Sequence, residues 1–378
     1  MKQAIMIGAG NIGRGFIGAI LSRSGYHVTF ADVNMTLIDA INAEGRYTVH
    51  IQDRDPAAFT ITNIDGISSA GPELAEALKT AELVTTAVGL RILPIVAKPI
   101  AARKAAGNTA PLNIVACENA VRATSQLKNA VYALLDDETK AFADANVGFA
   151  DCAVDRIVPK MDFADPLDVA VEEFSEWDVE RSGWKGELPK IEGMTIVEDL
   201  SAYIERKLFT LNSGHAICAY LGCLRGHQTI LDSVNDPIIG PIVYKAMQQS
   251  GAGLVKKFSM DEQKHQAYID RIFARFHNPY LQDEVARVGR EPIRKLAASD
   301  RLINPLLTAY NFGMKVDQLI FGAAAALRYD NAEDPQSVEL QKTIAEQGAA
   351  AALAQYSGLA ADHPLSTRIL DVYRALAV

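Results

Sequence analysis

At 378 residues, with 49% hydrophobic and 22% charged side chains, the chain is long enough for two separately packed cores and too apolar to be disordered. Its net charge of −9 repels nucleic acid and anionic membrane surfaces, so an anionic ligand must be met by a local cluster of cations.

Four cysteines, Cys117, Cys152, Cys218 and Cys223, lack the spacing of a structural zinc site. Reduced, buried thiols and no metal centre are therefore expected. The first seven residues run straight into a glycine-rich turn and have no secretory pattern. No run approaches the roughly 18 apolar residues of a membrane span. A cytoplasmic protein without membrane or nucleic-acid partners is the expectation.

In chain order, a β-prone run at residues 4–7 leads into a helical pattern that ends near residue 22. A strand at 28–31 and a helix at 37–43 follow. The pattern resumes with a strand at 83–87, a helix at 95–104 and a strand at 113–116. This is the strand–helix–strand rhythm of a parallel sheet. Residues 47–51, 59–63 and 169–174, with Trp177 and Val179, read as β excursions beside it. Beyond Asp199 long helical stretches take over, with alanine runs at 323–326 and 349–353. The glycine- and proline-bearing segment 186–193 separates the two textures. The fold class is thus α/β, with an N-terminal dinucleotide-binding domain at 1–192 and a C-terminal mainly α-helical substrate and catalytic domain at 193–378.

The first strand enters Gly8-Ala9-Gly10-Asn11-Ile12-Gly13, a G-x-G-x-x-G turn of the Rossmann type. The first glycine permits the tight turn, the second lets the backbone approach a pyrophosphate, and the third lets helix pack on strand. The next strand ends at Asp32, 19 residues after Gly13. A carboxylate there accepts hydrogen bonds from both ribose hydroxyls and repels a 2′-phosphate, so NAD is expected over NADP. Val88 and Gly89 end a later strand at the carboxyl edge of the sheet, where a nicotinamide would lie.

In the helical half, Lys207, Asn212 and His215 are the polar residues of a largely apolar stretch. On a regular helix Asn212 and His215 lie about 140° and 80° round from Lys207, within one sector. An amine, an amide and an imidazole facing one pocket suit alcohol oxidation, in which a base takes the hydroxyl proton and amides hold the developing oxyanion. Bringing a lysine from about 10.4 to about 7–8 requires roughly 4 kcal/mol of desolvation and nearby positive charge. A solvated lysine and a hydrogen-bonded core histidine satisfy the same spacing.

These residues spell K-x4-N-x2-H, and here the sequence resembles the polyol-specific long-chain dehydrogenases. The resemblance runs over nearly the whole chain: GAGNIGRGFIG, FADVN, VTTAVG, PLNIVACEN, VDRIVP, FSEW, ERKLFTLN with GHAI, GHQTI, NPYL and SDRLI. It implies a Rossmann domain followed by a helical substrate domain, with NAD as cofactor, a lysine base, Lys207, and no zinc. It assigns the oxyanion amides to Asn212 and Asn119, substrate orientation to His215, and a carboxylate near the polyol to Asp155. The implied reaction is the reversible oxidation of D-mannitol 1-phosphate to D-fructose 6-phosphate by a monomer. A further family pattern, Arg-x2-His-x4-Lys, matches Arg287, Arg290 and Lys295, with arginine in place of histidine. That replacement adds a bidentate phosphate binder. Arg294 and Arg301 complete the densest cationic cluster of this half. On a continuous helix Arg287, Arg290 and Arg294 share a face, although Gly289 and Pro292 interrupt it. An oxidoreductase for an unphosphorylated polyol or hexuronate shares the catalytic helix, and a dinucleotide-binding regulator shares the glycine turn.

Overall fold

In the computed structural model the described residues are 1–53, 55–89, 97–159, 161–281 and 283–376. The first two positions of the helix expected at 95–104 lie outside them. The chain divides into two compact units, Met1–Tyr203 and Ile204–Val378.

The strands of the first unit are β1 (Lys2–Ile7), β2 (Tyr26–Asp32), β3 (Tyr47–Ile51), β4 (Ala57–Ile61), β5 (Ile64–Ser68) and β6 (Leu83–Thr86). They continue as β7 (Leu112–Ala116), β8 (Val147–Phe149), β9 (Cys152–Asp155), β10 (Val169–Val171), β11 (Glu176–Glu180) and β12 (Thr195–Val197). Six form a wholly parallel sheet in the order β5-β2-β1-β6-β7-β8. Side chains alternate across it: Ala4, Met6, Val28 and Phe30 enter one apolar cluster, Ile5, Ile7, Val84 and Ile114 the other. Both faces are therefore buried, which is why these strands read as continuous apolar runs. The order reverses beside β1, so the carboxyl ends of β1 and β6 flank the crevice where such sheets take ligands.

The expected excursions form two small sheets, β10-β3-β4 and β12-β11-β9. The outer strands β5 and β8, and the short β9 and β12, were not among the expected elements. β5 holds Asp65 and Gly66, and β8 has three residues, too few for a periodic signal.

The second unit is built of helices, with one isolated bridge between Thr229 and Glu284 among the described residues. Its longest helix, Ile239–Phe258, packs against Ser213–Leu224, Glu262–Phe276, Ile303–Asn311 and Asp317–Leu327. Helix starts follow side-chain caps: Asp261 accepts from the Lys264 N–H at 2.8 Å, and Asp334 precedes Pro335 at the first helical position. No described helix is long and apolar enough to cross a membrane.

Candidate active site

The glycine turn is shaped by contacts a side chain would destroy. Gly8 has φ +100°, and a Cβ there would lie 2.5 Å from the Ala87 carbonyl oxygen; one on Gly13 would lie 2.0 Å from that of Gly8. Strand, turn and helix can close only without them. A Cβ on Gly10 would meet nothing within 4 Å. Gly10, Asn11 and Ile12 are exposed while Gly8, Ala9 and Gly13 are buried, so the turn offers its backbone at the three positions a pyrophosphate would use. From Gly13 to Gly18 the helix is a π turn, which becomes α-helical over Ala19–Arg23. The buried Arg14 bonds the carbonyls of Ala9 and Leu167, tying the turn to the segment before β10.

Asp32 ends β2 half-buried, its Oδ2 accepting from the Ala9 N–H at 2.7 Å and its Oδ1 from the Asn34 N–H at 2.9 Å. Each oxygen keeps a second lone pair for a ribose hydroxyl. The loop after β6 is pinned by a residue the sequence reading did not single out. Glu118 is buried, with Oε1 accepting from the Thr86 hydroxyl at 2.7 Å and the Val88 N–H at 2.9 Å, and Oε2 from the Gly89 N–H at 2.9 Å. Val88 is thus held at the carboxyl edge of the sheet. Asn119, next to Glu118, is exposed beyond the end of β7, and Asp155 is the buried last residue of β9.

The helix carrying Lys207, Asn212 and His215 departs from the regular geometry expected from the sequence. An α-helix over Ser201–Lys207 gives way to a π turn over Leu208–Asn212, then to an α-helix over Ser213–Leu224. A π turn takes one extra residue, which sets later positions back by about 100°, leaving Asn212 and His215 at about 40° and −20° from Lys207. The three side chains therefore align more closely than a regular helix allows. Burial agrees: from Lys207 to Ala219 every residue is buried except Lys207, Leu208, Asn212 and His215. The irregular turn is braced from outside, because Ser250 donates its hydroxyl to the Phe209 carbonyl at 2.7 Å and Ser213 donates to that of Arg301.

His215 stacks on Phe276, with ring centroids 5.1 Å apart and planes 19° from parallel. Its Nε2 lies 2.9 Å from Oδ2 of Asp283. Burial would raise the Asp283 carboxyl, but His215 and Arg287 outweigh it and hold the group below the usual carboxylate range.

The cationic cluster is mostly spoken for. The expected shared face is absent: Val285–Gly289 and Pro292–Leu296 are separate short helices, with Glu291 between them at φ +62°. Arg287 bonds Asp283, Arg294 bonds Glu291 and Asp300, and Arg301 bonds Asp300. Lys295, placed on substrate by the family pattern, is only 4% exposed and donates to the carbonyls of Val288 and Arg290. Burial, then Arg301 and Arg294, bring its pKa down to about 7. Arg290 is exposed, and its Nε reaches only the Arg287 carbonyl, at 3.3 Å. It has no carboxylate partner among the described residues. Nor do those residues contain a group of three or more His, Cys, Asp or Glu able to hold a metal ion.

The P. fluorescens mannitol 2-dehydrogenase, solved as a ternary complex with NAD and D-mannitol, aligns with 99% of this chain and 92% of its own at a TM-score of 0.76 and 17% identity. A substrate-free D-sorbitol dehydrogenase aligns over the same shares at 0.81 and 16%. At such identities the likeness is one of fold. The models of the mannitol dehydrogenase Rossmann domain and C-terminal domain match residues 2–193 and 199–377. Both matches together span nearly the whole sequence, and the chain belongs to the mannitol dehydrogenase family.

Proposed function

We propose that the chain is a mannitol-1-phosphate 5-dehydrogenase, catalysing the reversible, NAD-dependent oxidation of D-mannitol 1-phosphate to D-fructose 6-phosphate. The observation that carries the reading is that Lys207, Asn212 and His215, brought to one side by the π turn, stay partly exposed while Phe209, Thr210, Leu211, Ser213 and Gly214 between them are buried. A regulator that only senses a dinucleotide needs no such trio.

The residues of the glycine turn fit the cofactor. Gly10 leaves room for a pyrophosphate, the N–H groups of Asn11 and Ile12 open a helix toward it, and Asp32 receives the ribose hydroxyls. Bound NAD supplies the acceptor for the hydride that leaves the carbinol carbon. Lys207, unprotonated, takes the hydroxyl proton on Nζ, and the amide of Asn212 donates to the oxygen as negative charge develops there. Asn119 is the second proposed donor, and Asp155 a proposed acceptor for polyol hydroxyls. His215 orients the substrate. Arg290 is the proposed phosphate ligand, with Arg287 at its flank.

The test is to supply D-mannitol 1-phosphate or D-mannitol with NAD or NADP and identify the ketose formed. Fructose 6-phosphate, made efficiently with NAD and poorly with NADP, is expected. Equal efficiency with both cofactors would remove the role given to Asp32. A second reading, an unphosphorylated polyol as substrate, is favoured by the carboxylates that already neutralise Arg287, Arg294 and Arg301. Preference for D-mannitol would establish it.

A further inference from the structure

We propose that Asp283 is a positioning residue for His215, holding the imidazole as its Nε2–H tautomer so that a bare Nδ1 accepts a hydrogen bond from a substrate hydroxyl. The inference rests on the reading of His215 as the group that orients substrate, and deepens it.

Three observations converge. The carboxylate of Asp283 is 9% exposed, and its Oδ2 is buried with Nε2 of His215 2.9 Å away but no well-aligned hydrogen bond among the described residues. Leaving a buried carboxylate oxygen unpaired is costly, and a lone pair facing it adds repulsion. The proton of a neutral imidazole therefore belongs on Nε2, and the other nitrogen must then be an acceptor. The ring N–H is aimed off the carboxylate, a bent geometry of the kind that tightens when substrate binds.

Next, the ring plane is fixed independently of the carboxylate by the Phe276 stack. A flip of the imidazole within that plane would put Cε1 where Nε2 now faces Asp283, so the stack fixes the plane and the carboxylate fixes which edge meets it.

Finally, the carboxylate is itself held. Its Oδ1 accepts from Nε of Arg287 at 2.7 Å and also from Nη2, and the Asp283 main-chain carbonyl accepts from the Ile230 N–H at 2.8 Å. Arg287 thereby occupies one oxygen and leaves the other to His215. This gives Arg287 a bracing role in place of the direct substrate contact that the family pattern suggests. An amide at 283 would keep its oxygen for Arg287 and turn an N–H donor toward His215.

The experiment uses the whole protein labelled with 15N-histidine, in which long-range proton–nitrogen correlations report each tautomer and His215→Asn identifies the His215 signals. The wild type should show His215 protonated at Nε2 alone. Asp283→Asn should move it toward the Nδ1–H form, since an amide in place of the carboxylate reverses the preferred tautomer of such a pair. In steady-state assays with fructose 6-phosphate, Asp283→Asn should lower kcat at least tenfold and leave KM for NADH unchanged. The same change made in His215→Asn should alter kcat less than twofold. A wild-type His215 protonated at Nδ1, or equal losses in both backgrounds, would overturn the proposal. Should the wild type turn over no hexitol or ketose at all, the functional reading fails. The tautomer of the unsubstituted protein still decides the pairing, and it does so even if Asp283→Asn does not fold.

Discussion

Lys207, Asn212 and Arg290 carry the parts of the account that single substitutions can separate. If Lys207 is the base, Lys207→Ala loses several orders of magnitude in kcat while NAD binding, followed by fluorescence titration, stays nearly unchanged. Retention of near-normal kcat would refute the role. Asn212→Ala, removing one donor to the developing oxyanion, is expected to cost roughly 10² in kcat. Arg290 is exposed and without a carboxylate partner among the described residues. Arg290→Ala should therefore raise KM for fructose 6-phosphate at least tenfold, about 1.4 kcal/mol, and spare any activity toward fructose. Equal weakening with both sugars would place the phosphate elsewhere.

At the level of elements, the buried parallel strands and the glycine turn were legible because apolar runs and a fixed glycine spacing have direct geometric consequences. The edges were not: β5 and β8 are short or interrupted by Asp65 and Gly66. The π turn at Leu208–Asn212 was also hidden, since its brace comes from Ser250, far along the chain. Glu118 stands beside Asn119 in the quoted PLNIVACEN and could have been suspected. The spacing of Asp283 and Arg287, four residues apart, likewise allowed an ion pair on one helical turn. What spacing could not reveal is which cations are already satisfied. Lys295 shows the cost of that gap, since burial turns an expected ligand contact into a link between two short helices.

That burial has a measurable consequence. With a folded-state pKa of about 7 against an ordinary 10.5, Lys295 is protonated in the unfolded chain but not in the folded one between those pH values. Stability should therefore rise with pH across this window and be insensitive to Lys295 below and above it. The difference in urea midpoint between wild type and Lys295→Met should widen in favour of the wild type from pH 7.5 to 9.5. Parallel midpoints at both values would contradict a neutral buried amine.

For the whole molecule, an acidic chain of net charge −9 is proposed to take a dianionic sugar phosphate. Its long-range field opposes that ligand, and screening by salt weakens the opposition. Specificity must then come from few, local cations, and three of the five in the cluster are already paired with carboxylates. The dehydrogenase family and its fold leave this point open, because the residues proposed for the oxidation step do not themselves require a phosphate on the substrate. The decisive measurement compares initial rates of NADH oxidation with fructose 6-phosphate and with fructose over a full concentration range. The account predicts a kcat/KM for the phosphate ester at least a hundredfold above that for the free sugar. Comparable values, or a preference for fructose, would contradict it.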